Sequence, residues 1–158
     1  MRRIFLLLIS AIGGACAPRD MALSTAHASA MADSVRTALA EFLRAGAAGQ
    51  LDQMLAFYAD DPGFRWVEDG AVKARSVEDI RRGLAGLQGM RVETTLEDTE
   101  VSPAVPGVAS VATRFQTRVA DSSGTKFSFG GAMTLVMVHR DGGWRILTGH
   151  SSSSSPAR

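Results

Sequence analysis

Of the side chains that titrate near neutral pH, His150 is the one with a place in a pattern. The sequence holds three histidines, His27, His139 and His150. His150 alternates with Trp144 and Ile146 along Trp144–Ser152, so strand parity points it inward. An inward imidazole can act as a general base. It can equally be a neutral core histidine bonded to a backbone carbonyl or to Tyr58. His139 sits beside a turn and is expected to be exposed. His27 lies in a small, polar, unpatterned stretch and is expected to be solvated. No acidic group is placed to orient His150, and the serines near it lie on its own strand or tail, so no Ser-His-Asp triad can be assembled.

Tyr58, Phe64, Trp66, Phe115 and Met133, with Phe42 and Leu135, are the other candidate ligand-binding residues, gathered around His150 only if the helices and strands close into a cone. Mostly apolar walls with a few polar groups are the make-up of a small-molecule pocket. Phe42, Phe115 and Leu135 serve equally well as core filling. Tyr58 and Trp66 carry an O–H and an N–H that need partners and often line cavities. No cofactor is expected. A metal site needs clustered His, Cys and carboxylates, and the chain has one cysteine, Cys16, and no such cluster in its sequence. Gly83-x-x-Gly86-x-x-Gly89 has glycine spacing without the Lys-Ser/Thr or the preceding strand of a phosphate loop.

These residues need one domain to position them. The chain has 158 residues, 46% hydrophobic and 21% charged, which is ordinary globular composition and too short for a second catalytic domain. Seventeen basic against 16 acidic residues give a net charge of +1, so no strong field recruits nucleic acid or an anionic membrane.

Met1–Cys16 reads MRRIFLLLISAIGGAC. Arg2 and Arg3, an apolar run and small residues are the layout of an export signal, too short to span a bilayer. Cys16 follows Gly13-Gly14-Ala15 and resembles the lipidated cysteine of a lipoprotein, with Gly13 departing from the usual branched aliphatic. The alternative is ordinary cleavage after Ala28 or Ala30. Residues 1–15 are therefore read as a signal peptide and 16–32 as a flexible tether. The domain is 33–153, and 154–158 is a disordered tail. The expected location is the cell envelope or periplasm, with the membrane met only through a lipid anchor. Loss of 1–15 leaves 15 basic and 16 acidic residues, so the basic excess belongs to the signal.

Within the domain, Val35, Ala38, Leu39, Phe42 and Leu43 predict a helix from Ser34 to Ala45, capped by Asp33 or Ser34. Leu51, Met54, Leu55 and Tyr58 predict a second, stopped at Pro62. Phe64–Val67 and Ala71–Ala74 form a hairpin about Asp69-Gly70. Ser76-x-x-Asp79 opens a third helix with Val77, Ile80, Leu84 and Leu87. The period then changes to two, over Met90–Val101, Val108–Ala120, Phe127–His139 and Trp144–Ser152, with short polar turns between them. This predicts an antiparallel meander. Arg114 and Arg118, on its outer face, suit either a dimer surface or plain solvation.

Three helices around a hairpin, then four long strands, resemble the nuclear transport factor 2-like superfamily and its small SnoaL-like bacterial branch. Leu55–Asp61 (LAFYADD) and Asp141–Ser152 (DGGWRILTGHSS) carry the resemblance, which spans about residues 33–153. It implies an α+β cone, three helices packed on a strongly curved antiparallel sheet. The interior would hold a small apolar or amphipathic molecule. A homodimeric association module without ligand, and an acid/base enzyme using His150, are the other readings. The ketosteroid isomerases of the superfamily use a tyrosine, an aspartate base and a protonated aspartic acid. The resemblance places these roles near Phe42, Trp66 and Met133, none of which can transfer a proton. Glu68 is the nearest carboxylate to Trp66 and is expected at the exposed hairpin turn. That isomerase mechanism is therefore not expected.

Overall fold

A computed structural model describes residues 23–154. The expected signal segment and Cys16 lie outside the described residues, as do residues 155–158. No helix among the described residues is long and apolar enough to cross a membrane.

Helix α1 runs Thr25–Ala47, starting at Thr25 rather than Ser34. The reason is local. Ala26, Ala28, Ala30 and Ala32 are strong helix formers, Ala32 is buried, and Met31 packs on the core. Ser24 is the cap, its hydroxyl accepting from the His27 N–H at 3.3 Å. Asp33 and Ser34 thus lie within the helix: Asp33 pairs with Arg36 at 3.0 Å, and Ser34 accepts a hydrogen bond from the Trp144 indole at 2.9 Å. The part of the expected tether from Thr25 onward is helix.

Helix α2 is short, Leu51–Leu55, and buries Met54 and Leu55. The chain then crosses the sheet end at Tyr58, bridged in parallel to Ile146. Strands β1 (Arg65–Glu68) and β2 (Ala71–Ala74) turn through Asp69 and Gly70, both at positive φ (48° and 79°). Helix α3 spans Val77–Leu84 and continues as a 3₁₀ turn, Ala85–Leu87. The Ser76 hydroxyl accepts from the Asp79 N–H, and the Asp79 carboxylate accepts from the Arg75 N–H. The spaced glycines fall in this helix and its end, not in a strand-to-helix loop.

Strands β3 (Arg91–Val105), β4 (Val108–Asp121), β5 (Gly124–Arg140) and β6 (Gly143–Ser154) form the antiparallel meander. The sheet has six strands in the order β2-β1-β6-β5-β4-β3. One pairing departs from the antiparallel expectation: β1 lies parallel to β6. Strand β3 also continues through Pro103 to Val105, which an edge strand tolerates because no neighbour needs the missing N–H. Helix α1 lies chiefly across β3. Between the helices and the sheet, Val35, Phe64, Val111, Met137 and Ile146 are sealed from solvent. The result is the α+β cone, a curved sheet closed by helices.

Candidate functional site

Pairing registers order the sheet's inner face into rows, because paired residues project to the same side. Trp66, Gly149, Leu135, Val111 and Val101 form one row. The next holds Glu68, Ser151, Met133 and Thr113. Beyond it come Ser153, Gly131, Phe115 and Leu96, then Phe129, Thr117 and Thr94, and finally Phe127, Val119 and Val92. The face therefore runs from sealed aliphatic core, through a polar band, to an exposed aromatic ledge.

At the core end, the Tyr58 ring meets Phe42, Phe64 and Trp66 edge-on, at centroid distances of 5.8, 5.9 and 6.1 Å. Phe64 is fully buried and is a core residue, not a wall of open space. Tyr58 is 8% exposed, and burial pushes its phenol above the usual range, so the O–H stays protonated. Its hydroxyl has no hydrogen-bond partner among the described residues, and neither has the Ser151 hydroxyl. Ser151 is 6% exposed. No described buried side-chain nitrogen or oxygen is both sealed from solvent and unpartnered. Both are thus nearly buried hydroxyls without a partner among the described residues, Tyr58 beside Trp66 and Ser151 in register with Glu68. The neighbouring threonines differ: Thr113 bonds Thr99 and the Glu97 carbonyl, and Thr117 bonds Thr94.

At the ledge, Phe129 packs edge-on against Phe115 at 5.9 Å and stacks with Phe127 at 6.2 Å. Phe127 is 48% exposed and Phe129 36%, whereas Phe115 is buried. A recess of about 20 Å³ lies near the same end between Gly46, Met54, Leu87 and Val92, room for about one water.

His150 does not point inward. Val136 faces Thr148 while Met137 faces Ile146, which leaves Leu147 as an extra residue in β6. This bulge reverses the alternation. Trp144 and Ile146 face in before it, and Gly149 and Ser151 face in after it. His150 is exposed, on the side opposite Ser151. The structure thus brings Tyr58, Trp66, Phe115 and Met133 to the inner face, seals Phe64 in the core and excludes His150. Glu68 also corrects its expectation: it ends β1, is half-buried, and shares its row with Ser151 rather than sitting on the exposed turn. Asp69 holds this arrangement, donating its N–H to the Ser151 carbonyl while its carboxylate accepts from the Ser153 N–H. Sequence reasoning passed over Ser151, Phe127 and Phe129. The phenylalanines could have been found, since they share parity with Met133 and Leu135.

On the outer face Arg114 is held by Glu97 and Asp98 of its own chain, at 3.1 and 2.7 Å. No group of three or more metal-ligating side chains occurs among the described residues.

A curved sheet closed by helices over a partly open inner face is the architecture of nuclear transport factor 2-like proteins. Residues 35–157 match the SnoaL-like domain, and the chain belongs to that family. Among solved structures it is similar to a Xanthomonas campestris protein described as a calcium/calmodulin dependent protein kinase II association domain. That likeness has 22% identity over 78% of this chain and 87% of that one, with a TM-score of 0.65. A nuclear transport factor 2-like protein of Salmonella enterica gives 14% identity, 82% and 94% coverage and a TM-score of 0.64. One of unknown function from Shewanella oneidensis gives 19%, 76% and 97%, and 0.61. No curated protein matches the chain.

Proposed function

We propose that the protein binds a small apolar or amphipathic molecule on the inner face of its cone, between the Glu68–Ser151 band and the Phe115–Phe129–Phe127 ledge. One observation carries the reading. Two nearly buried hydroxyls, Tyr58 and Ser151, lack partners among the described residues and stand beside Trp66 and Glu68. A polar group in such a place is costly unless something satisfies it. Water or the polar end of a ligand can do so, and the exposed aromatic ledge suits an apolar tail. His150, on the outer side, takes no part. The test is an NMR titration of the protein with octanol. Shifts confined to Trp66, Met133, Phe115, Phe129 and Ser151 support the reading, and an unchanged spectrum removes it.

Export fits the same account. Cleavage after Ala28 or Ala30 would cut within α1 and remove the Ser24 cap, whereas processing at Cys16 leaves the helix whole. We place the protein in the cell envelope, anchored through a lipidated Cys16. Intact mass of detergent-extracted protein should show the diacyl addition.

A homodimer formed through the outer sheet face is the second reading. Exposed Ala112, Ala132 and Thr134 leave that face flat, with Val136 among them. The Xanthomonas relative's description as an association domain points the same way. Light scattering on the purified protein decides it: a strict monomer excludes it.

A further inference from the structure

We infer that the inner face selects amphipathic molecules with a cationic amine head, an assignment that rests on the ligand-binding reading above. Glu68 is half-buried on the inner face, in register with Ser151, and has no ion-pair partner among the described residues. An ionised carboxylate accepts hydrogen bonds and donates none, so it asks for a donor, best a charged one. Two groups that the strand register places on the same face beside it complete a head-group seat. The Ser151 hydroxyl lies across from it, nearly buried and unpartnered among the described residues. Trp66 stands two residues before it on the same face, and an indole face attracts an ammonium. Tyr58 packs edge-on against Trp66 at the core side of this seat. Asp69, the next carboxylate along the chain, is already engaged by the Ser153 N–H and does not compete. From this seat the inner face continues past Met133 to Phe115, Phe129 and Phe127, which gives an alkyl or aryl tail a continuous apolar path. A carboxylate head would meet Glu68 with like charge and should be excluded.

The test is calorimetric titration at physiological salt with three probes of one chain length: octylammonium, octanol and octanoate. Octylammonium should bind about tenfold tighter than octanol, a difference that one favourable charged contact supplies, and octanoate should be weakest. Glu68→Gln should erase the gap between amine and alcohol by weakening octylammonium about tenfold. Glu93→Gln removes the same charge from the exposed outer side of β3 and should leave the gap intact. Equal binding of amine and alcohol by the unaltered protein overturns the head-group assignment and leaves the ligand reading standing. A gap erased equally by Glu93→Gln also overturns it, because the attraction is then general. Binding of none of the three overturns both.

Discussion

The ring of Trp66 lies against the backbone of Gly149, so closely that a Cβ at position 149 would collide with its six-membered ring. The two residues are paired across the parallel β1–β6 ladder, so the indole folds over its own partner. Glycine is required there for space rather than for backbone conformation. This contact fixes Trp66 on the inner face and, through the strand register, sets Glu68 opposite Ser151.

Gly149→Ala should therefore destabilise the protein by about 1–3 kcal/mol, the cost of overpacking a tight core. Trp66→Ala should remove most of that sensitivity, so the double variant couples in a denaturant-unfolding cycle. Additive effects would mean that the ring has another place to go.

The aromatic ledge should be functional rather than structural. Phe127→Ser and Phe129→Ser change exposed side chains, so the folded state should lose less than about 1 kcal/mol. Binding of octanol should weaken by tenfold or more. A large loss of stability with binding intact would make the ledge part of the core.

Stability should fall in acid. Hydrogen bonds from the Ser123 hydroxyl and Lys126 hold the Asp121 carboxyl at about 2, below its ordinary 3.8. The Gly63 N–H and then Arg140 lower Asp61, and the Arg75 N–H and then Arg82 lower Asp79. Groups depressed in the folded state stabilise it above the unfolded value and cease to do so as pH falls through the folded one. The window is thus about pH 4 down to 2. All three carboxylates are partly exposed, so each effect is modest and partly screened by salt. Thermal unfolding followed from pH 7 to 2 should show the decline, smaller in Asp121→Asn. A flat profile through that window contradicts it.

Ser24→Ala should cost about 0.5–2 kcal/mol through loss of the α1 cap. Circular dichroism melts would show it. No change would indicate that the helix is set by its packing from Ala32 onward.

Much of the fold was legible because each element carries its own pattern. Asp69-Gly70 marked its hairpin, Ser76-x-x-Asp79 its helix cap, and Val111 to Val119 the inner face of β4. The start of α1 was hidden because alanines bury little and leave no apolar stripe. The last strand misled for a different reason. After Ile146 neither possible inner set is apolar: Thr148, His150 and Ser152 on one parity, Gly149, Ser151 and Ser153 on the other. Hydrophobic patterning cannot fix a register there, and the bulge at Leu147 decides it. The parallel docking of β1 beside β6, which sets Glu68 opposite Ser151, joins residues far apart in the chain and leaves no local trace.

The central claim is that the inner face holds a small molecule, and native mass spectrometry of the protein purified from its own host tests it most directly. The account predicts a species heavier than the chain by one small molecule, released on denaturation and absent from the Phe127→Ser, Phe129→Ser double variant. A spectrum of bare chain or bare dimer, identical for both proteins, would contradict it.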